Sequence, residues 1–326
     1  MKILVLGHCG SMGRRRVRCL RRLGYTKIFG YDTGDYCLPE FEDNDIKRIN
    51  SYEDFKGDAV IISTPPETHL EYIKYFSEKG FSVFSEASVI PDDRHIYNSF
   101  PKEKVIFPSA TIKFKDSVRF IKENLSLIGD IHSYDYRCAG NLRTWHPWQD
   151  ISEYYVSNPI TGAAREITAF ELGWLNYIFG ERSYIEGSFV TGLSEISEST
   201  GINDIYTFII SHEVNGVKTV GAGTVDVFSH KNYRVLRIIG SNGNVEFDWS
   251  SNFVKFYDKD GKILKEFSEN QAEHHSDYSE FSTEKMYDTE LKNFFDSILD
   301  PSLALCTLDT DYKVLSLLEQ IEENTF

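Results

Sequence analysis

Residues 1–32 read MKILVLGHCGSMGRRRVRCLRRLGYTKIFGYD, and this stretch decides the fold of the first part of the chain. The apolar run KILVL has the length of a β-strand, and the glycine-rich segment GHCGSMG follows it. Val17, Leu20 and Leu23 then recur at helical spacing, and a second apolar run ends at Asp32. The order strand, glycine turn, helix, strand and acid predicts a dinucleotide-binding βαβ unit.

The glycine turn indicates how such a unit binds a dinucleotide. Glycines let the chain reverse tightly, let backbone N–H groups approach a pyrophosphate, and let the helix pack closely on the strand. An acid about 20 residues beyond the turn accepts hydrogen bonds from the adenosine ribose. The spacing is Gly-x-x-Gly-x-x-Gly rather than Gly-x-Gly-x-x-Gly, so an ordinary glycine-rich turn of an α/β protein is the alternative. The predicted cofactor-binding residues of this stretch are Gly7, His8, Gly10, Ser11, Met12, Gly13 and Asp32.

The first predicted helix carries six arginines in a chain whose net charge is −15. Arg14 and Arg15 lie in its first turn, where they are placed to pair with the cofactor phosphates or to accept the 2′-phosphate of NADP. Asp32 would repel that phosphate, so NAD is favoured and NADP stays open. The arginines that fit a solvated helix face are Arg18, Arg21 and Arg22.

The composition of the 326-residue chain argues against several classes of protein. Its length predicts two domains, and its 41% apolar residues are enough for their cores. The negative net charge argues against a nucleic-acid partner, and no apolar run reaches the ~18 residues that a membrane span needs. Five widely spread cysteines without a CxxC pair indicate reduced thiols in a cytoplasm, and no cluster has convincing metal-ligand spacing.

Predicted strands and helices alternate through the first part of the chain, which indicates an α/β fold with a doubly wound parallel sheet. Ligands of such sheets bind at the carboxyl ends of the strands. Residues 7–13, 32, 64–69 and 86–88 are therefore expected to share one edge.

Beyond about residue 130 the pattern changes to short strand-like runs separated by Asn-Gly and Asp-Gly turns. This pattern predicts an α+β domain with a mostly antiparallel open sheet. We predict a dinucleotide-binding domain over 1–115 and a substrate and oligomerisation domain over 116–326, with the final helix able to pack back on the first domain.

The chain resembles the Gfo/Idh/MocA family of oxidoreductases over nearly its full length. The resemblance rests on the glycine turn with Asp32, on VIISTPPETH at 60–69, on VFSE at 83–86 and on RIIGSNG at 237–243. It implies a Rossmann domain followed by an open antiparallel sheet, and NAD(P)-dependent oxidation or reduction of a sugar or polyol. It also implies a homodimer or homotetramer through the face of that sheet. The residues that the resemblance adds to the cofactor site are Thr64, Pro65, Pro66, His69 and Glu86.

Two departures from the family pattern concern catalysis. The family usually has Glu-Lys-Pro where this chain has Glu86-Ala87-Ser88, and that lysine normally contacts substrate near the nicotinamide. The family also usually has a histidine and an aspartate in a helix where this chain has Phe170 and Gly173. The chain is similar to a sub-group with Glu-Ala-Ser, a Trp-His-Pro-Trp loop and an Arg-Glu helix start, associated with sugars of surface polysaccharides.

Other ionisable side chains are therefore candidates for moving the hydroxyl proton. His146 comes first, because a histidine titrates near neutral pH and two tryptophans flank this one; a structural loop histidine is the alternative. Glu171 comes second, because a charge within an apolar helix is paired or lines a site, and Glu86 comes third. A structural pair between Arg165 and a glutamate also stays open. The predicted substrate-binding residues are Arg143, Trp145, Trp148, Arg165 and Glu166.

The sequence thus predicts an NAD(P)-dependent oxidoreductase that acts on a hydroxyl or keto group of a sugar derivative, nucleotide-linked or of a surface polysaccharide. Two alternatives stay open. A catalytically silent dinucleotide-binding sensor or assembly protein is favoured by the missing lysine and histidine. An epimerase that works by transient oxidation would show no net cofactor turnover.

Overall fold

The structure is a computed structural model. It describes residues 1–33, 46–87, 101, 104–145, 150–153, 155–214, 216–269 and 284–325. The chain divides into two compact units, one of residues 1–111 with 284–311 and one of residues 112–283 with 312–326. Residues 284–311 thus join the first unit, whereas the sequence assigned everything beyond residue 115 to the second domain.

The first unit is built on a six-stranded parallel sheet in the order β3-β2-β1-β4-β5-β6. Its strands are β1 (Ile3–Leu6), β2 (Ile28–Tyr31), β3 (Lys47–Arg48), β4 (Ala59–Ile62), β5 (Ser82–Ser85) and β6 (Ile106–Pro108). Its helices are α1 (Ser11–Arg22), α2 (His69–Glu78) and α6 (Glu284–Leu299).

The sequence of this sheet explains its burial. β1, β4 and β5 are short and mostly apolar, and all their residues are buried, as in a sheet covered on both faces. The strand order reverses between β1 and β4. Their carboxyl ends therefore flank the crevice in which a doubly wound sheet binds its ligand.

The second unit contains an eight-stranded sheet in the order β14-β13-β12-β11-β7-β10-β9-β8. Only β7 and β10 pair in parallel among its described strands, so the sheet is mostly antiparallel. Its strands are β7 (Ile131–Asn141), β8 (Ser183–Thr191), β9 (Ile205–Val214), β10 (Val217–Asp226), β11 (Phe228–Gly240), β12 (Gly243–Asp248), β13 (Phe253–Asp258) and β14 (Ile263–Ser268). The helices are α3 (Asp116–Asn124), α4 (Ala163–Phe179), α5 (Glu195–Thr200) and α7 (Leu308–Glu323), whose first residues belong to the first unit.

The two predicted fold classes, a doubly wound parallel sheet and a mostly antiparallel open sheet, are both confirmed. The strand and helix patterns are local, and each lies in the segment where the sequence places it. Among the described residues no helix combines the length and the hydropathy that a bilayer crossing requires.

His212 ties the core of the second unit together. Its Nδ1 faces the carbonyl of Gly180 at 3.1 Å, and its Nε2 lies 2.8 Å from the hydroxyl of Tyr134. A carbonyl only accepts, so Nδ1 carries the proton and Nε2 accepts from the tyrosine. Burial lowers the pKa of His212 to about 4. The imidazole is therefore neutral in the folded protein at neutral pH.

This burial predicts an acid-sensitive fold. In the unfolded chain His212 regains a pKa of about 6.5, so on acidification the unfolded state takes up a proton first. The free energy of unfolding should therefore fall as the pH drops from about 6.5 to about 4, by at most about 3 kcal/mol from this group. Urea denaturation at several pH values measures the slope. A His212→Gln variant should show a flatter slope and a His132→Gln variant, at an exposed position, an unchanged one. Equal slopes for wild type and His212→Gln would contradict the assignment.

Candidate functional site

The glycine turn connects β1 to α1 at the crevice. Gly7 has a φ of +73°, a left-handed conformation that a side chain rarely tolerates, and its N–H donates to the carbonyl of Tyr31 at 2.9 Å. Inside α1, a Cβ on Gly13 would lie 2.0 Å from the carbonyl oxygen of Gly7. Both glycines are thus required by close approach of backbone to backbone, as a tight phosphate-binding turn needs.

The N-terminus of α1 opens onto this turn. Gly10 is its N-cap, and within the described chain no side chain caps the first turn and no acid lies in it. The first N–H groups of a helix lack intrahelical partners and carry the positive end of the helix dipole. This arrangement suits a pyrophosphate.

Asp32 directly follows β2 and lies beside the glycine turn. Its Oδ2 accepts the backbone N–H of Cys9 at 3.0 Å, which places the carboxylate beside the glycine turn. This is the position from which an acid reaches the adenosine ribose of a dinucleotide. The structure therefore places Asp32 beside the glycine turn, and its contact with a ribose stays a prediction.

Three side chains of this region have metal-ligand chemistry. Ligand-type atoms of His8, Cys9 and Asp32 lie within 4.8 Å of one another. Cys9 is disulfide-bonded, so it offers no thiolate to a metal, and the expectation of reduced thiols does not hold for it. The expectation does hold for the buried free cysteines Cys19, Cys138 and Cys306.

The segment 64–69 lies beyond the carboxyl end of β4. His69 is buried, and its Nε2 lies 2.7 Å from the carbonyl oxygen of Thr64, to which it donates. Burial lowers the pKa of His69, so the imidazole is neutral. A second bond joins the hydroxyls of Thr64 and Thr68 at 2.6 Å, while Pro66 is buried. These contacts fix the conformation of the segment, and the place of His69 in a cofactor site stays a prediction.

Glu86 follows β5, and its backbone N–H donates to the carbonyl of Ile62 at the end of β4. Arg16 binds its carboxylate through two hydrogen bonds, from Nε to Oε1 at 2.6 Å and from Nη2 to Oε2 at 2.9 Å. Ser63 donates to Oε1 at 3.3 Å. A carboxylate held this way is an acceptor, so the contacts favour a binding role for Glu86 over the proton transfer also expected of it.

Glu290 of α6 completes this buried cluster. Its Oε2 accepts from Arg16 Nη1 and from the hydroxyl of Thr111, both at 2.9 Å. Its Oε1 accepts from the hydroxyl of Ser109 at 2.9 Å and from the N–H of Ala110 at 2.8 Å. Four donors satisfy this carboxylate fully, as a buried charge requires.

Other arginines of α1 also pair with carboxylates of α6. Arg15 donates to Glu284 at 3.0 Å and its side chain is buried, which differs from its expected contact with cofactor phosphates. Arg22 donates to Asp288 at 2.7 Å, and its side chain is 40% exposed, in keeping with the solvated face that the sequence predicts for it. The physical reason is that α6 presents carboxylates along the side of α1.

Glu171 lies in the interior of the second unit. Arg234 donates to its Oε1 at 2.9 Å, Trp174 to its Oε2 at 2.6 Å, and the hydroxyl of Tyr136 also donates to Oε2. The side chain is completely buried. These contacts favour the paired role that the sequence allowed and argue against proton transfer to a substrate.

The predicted substrate-binding residues are only partly brought together. Arg165 forms an ion pair with Glu322 at 2.7 Å, which is the structural alternative with a partner from α7. Glu166 accepts from the hydroxyl of Tyr155 at 3.1 Å. Arg143, on the surface, pairs with Glu195 at 2.8 Å, and Trp145 is half-buried. The predicted residues His146 and Trp148 lie outside the described residues.

Comparison with known proteins supports the fold. No protein-family model matches the sequence, and no curated protein does. Among solved structures, myo-inositol 2-dehydrogenase from Lactobacillus plantarum superposes with a TM-score of 0.74 at 16% identity, over 99% of this chain and 96% of that one. UDP-N-acetylglucosamine 3-dehydrogenase from Acidithiobacillus ferrooxidans gives 0.75 at 14% identity, over 100% and 97%. An oxidoreductase from Agrobacterium radiobacter, in complex with NAD+, L-tartaric acid and magnesium, gives 0.76 at 12% identity, over 99% and 96%.

The chain has the Gfo/Idh/MocA fold. The fold implied by the resemblance of the sequence is therefore confirmed over both units. On this fold the lysine position of the Glu-Lys-Pro segment is Ala87, beside the carboxylate that Arg16 holds.

Sequence reasoning missed Arg16 and Glu290, although the sequence contains a signal for both. Arg16 lies at helical spacing from Gly13 and Leu20, on the buried stripe of α1. Glu290 likewise lies one turn from Met286 and one turn from Phe294 on the buried stripe of α6. A charge within an apolar stripe has to be paired, and two such stripes of opposite charge suggest each other as partners.

The glycine turn gives a direct test of this site. Gly13→Ala should lower the free energy of unfolding by at least about 1–3 kcal/mol, because the new Cβ would overlap the Gly7 carbonyl. Gly173→Ala is the matched helical control: its Cβ meets only Val314 Cγ2 at 4.0 Å, so the change should be neutral or stabilising by up to about 1 kcal/mol. Urea denaturation compares the two variants. Equal stability of both would show that the turn is looser than described.

Proposed function

We propose that the chain is a dinucleotide-dependent oxidoreductase that acts on a hydroxyl or keto group of a sugar derivative, with NAD(H) preferred over NADP(H). The observation that carries the proposal is the glycine turn with Asp32 beside it. A side chain at Gly7 or at Gly13 would overlap the backbone atoms of this turn and its surroundings. A bound nicotinamide supplies the hydride chemistry, and the chain binds and orients it. The dehydrogenases that share the fold support the sugar as substrate class.

The preference for NAD(H) follows from the charge at the ribose position. Asp32 is held at the turn by the Cys9 N–H, and a carboxylate there would accept from ribose hydroxyls and repel a 2′-phosphate. Of the two arginines that the sequence offered to a 2′-phosphate, Arg14 and Arg15, the second forms an ion pair with Glu284. Both contacts favour the dinucleotide without the extra phosphate.

Calorimetry tests the cofactor assignment. The wild type should bind NADH with micromolar affinity and more tightly than NADPH. Asp32→Ala should weaken NADH binding by roughly tenfold and narrow the preference over NADPH, because a hydrogen bond to a charged group is lost. Asp135→Ala, at an exposed strand position, is the control and should bind as the wild type does. Tighter binding of NADPH than of NADH by the wild type would overturn the NAD assignment.

Proton transfer in this proposal is assigned to His146, because the carboxylates of Glu171 and Glu86 already accept from neighbouring cations and other donors. On a sugar that the wild type turns over, His146→Ala should lower turnover by about 10²–10⁴ with NADH affinity unchanged. His132→Ala, an exposed histidine of β7, should have little effect. Turnover of His146→Ala within a few-fold of the wild type would exclude this role.

A silent dinucleotide-binding protein is the second candidate function. It is favoured by Ala87 in place of the family's lysine and by the structural contacts of Glu171. Such a protein would pass the calorimetric test above, and would show neither reduction of NAD+ with any sugar nor oxidation of NADH with any keto sugar.

The same proposal includes a homo-oligomer through the sheet of the second unit. Apolar side chains are exposed on the strands β8, β9, β10 and β11, and Ile209 lies directly opposite Ala222 in register. An apolar sheet face of this kind suits contact with a second copy. The exposed apolar residues of the sheet that support this are Tyr184, Phe189, Ile209, Val220 and Ile239.

A further inference from the structure

Glu86 lies at the half of the crevice opposite Asp32. Asp32 follows β2, on one side of the point where the strand order reverses, and Glu86 follows β5, on the other. The two halves of a doubly wound sheet hold the two nucleosides of a dinucleotide. If Asp32 binds the adenosine, Glu86 stands on the side of the nicotinamide nucleoside.

The Glu86 carboxylate has one acceptor position left. Oε1 accepts from Arg16 Nε and from Ser63 Oγ, whereas Oε2 accepts only from Arg16 Nη2 among the described residues. Each carboxylate oxygen offers two lone pairs, so Oε2 retains one. The side chain is 15% exposed, in contrast to Glu290, which is completely buried and accepts four hydrogen bonds.

The direction of that lone pair is set by Arg16. The guanidinium is completely buried, with its carbon 4.4 Å from the centre of the Phe84 ring. Arg16 Nη1 donates to Glu290, and Nη2, which already donates to Glu86, also donates to Ser109. Because these contacts fix the plane of the Arg16 guanidinium, its Nε and Nη2 groups donate in one direction. The Glu86 carboxylate, which accepts from both groups, is therefore held in one orientation.

We infer that Arg16 is a positioning residue, which aims Oε2 of Glu86 at a hydrogen-bond donor of the nicotinamide nucleoside. The inference rests on the proposed function. The donor is a ribose O–H or the carboxamide N–H, since both can donate to a carboxylate. Arg16 itself touches no part of the cofactor in this arrangement and acts only through Glu86.

The test compares three probes by calorimetry on the whole chain. NAD+ carries both donors, 3-acetylpyridine adenine dinucleotide lacks the amide N–H, and ADP lacks the whole nicotinamide nucleoside. The variant is Arg16→Lys, which keeps the charge and loses the planar fork. The matched control is Arg22→Lys, on the same helix and also paired with α6, but distant from Glu86 in its contacts.

Arg16→Lys should weaken NAD+ binding about tenfold and leave ADP binding unchanged, because a charged hydrogen bond is lost only in the nicotinamide half. Glu86→Gln should show the same pattern, and Arg22→Lys should bind both probes as the wild type does. Weakening of 3-acetylpyridine adenine dinucleotide by the same factor identifies the ribose O–H as the donor. If Arg16→Lys binds 3-acetylpyridine adenine dinucleotide as tightly as the wild type does, the carboxamide N–H is the donor.

Equal weakening of NAD+ and ADP by Arg16→Lys would assign Arg16 a structural role only and overturn the inference. If Arg16→Lys fails to fold, Glu290→Gln serves, because it loosens the anchor of Arg16 without touching Glu86. It should lower NAD+ affinity selectively over ADP, and unchanged affinity for both would equally overturn the inference. A wild type that binds neither probe would instead refute the proposed function, and the inference with it.

Discussion

The buried charge of Arg16 is the constraint on which the first unit depends. Removing a charge from water without compensation costs more than the whole net stability of a typical domain. Its compensation comes from Glu86 and from Glu290, which lies 274 residues further along the chain. The sheet that begins the chain therefore requires α6, and this explains why residues 284–311 belong to the first unit rather than to the second.

The same helix serves both the proposed cofactor site and this buried cluster. The N-terminus of α1 opens onto the glycine turn, and its side carries Arg15, Arg16 and Arg22 against the carboxylates of α6. Buried ion pairs contribute little net stability, but losing one partner of a pair is costly. The pairs therefore act mainly to set where α1 lies, and with it the geometry of the turn and of Glu86.

In the second unit a comparable buried cluster argues against Glu171 as the proton-transfer group. Glu171 accepts hydrogen bonds from Arg234, Trp174 and Tyr136. The burial of Tyr136, and next the nearby Glu171 carboxylate, raise the pKa of that tyrosine. With the Cys138 thiol as a fourth donor, all acceptor positions of this carboxylate are occupied, so it stabilises the packing of α4 on the sheet. The sequence correctly indicated that a charge in this apolar helix is paired. It did not name the partner, because Arg234 is on a strand 63 residues away.

The sequence by itself determined the two fold classes, the glycine turn and the acid beside it. Each of these depends on periodicity, on glycine geometry or on spacing within about 30 residues, which local sequence carries directly. Only the tertiary structure decided the pairing of Arg16 with Glu290, of Arg165 with Glu322 and of Glu171 with Arg234. A charged residue in an apolar pattern predicts an ion pair, because an unpaired buried charge is costly. The sequence does not identify the partner, because many residues of opposite charge are available and only the fold brings one within hydrogen-bonding distance.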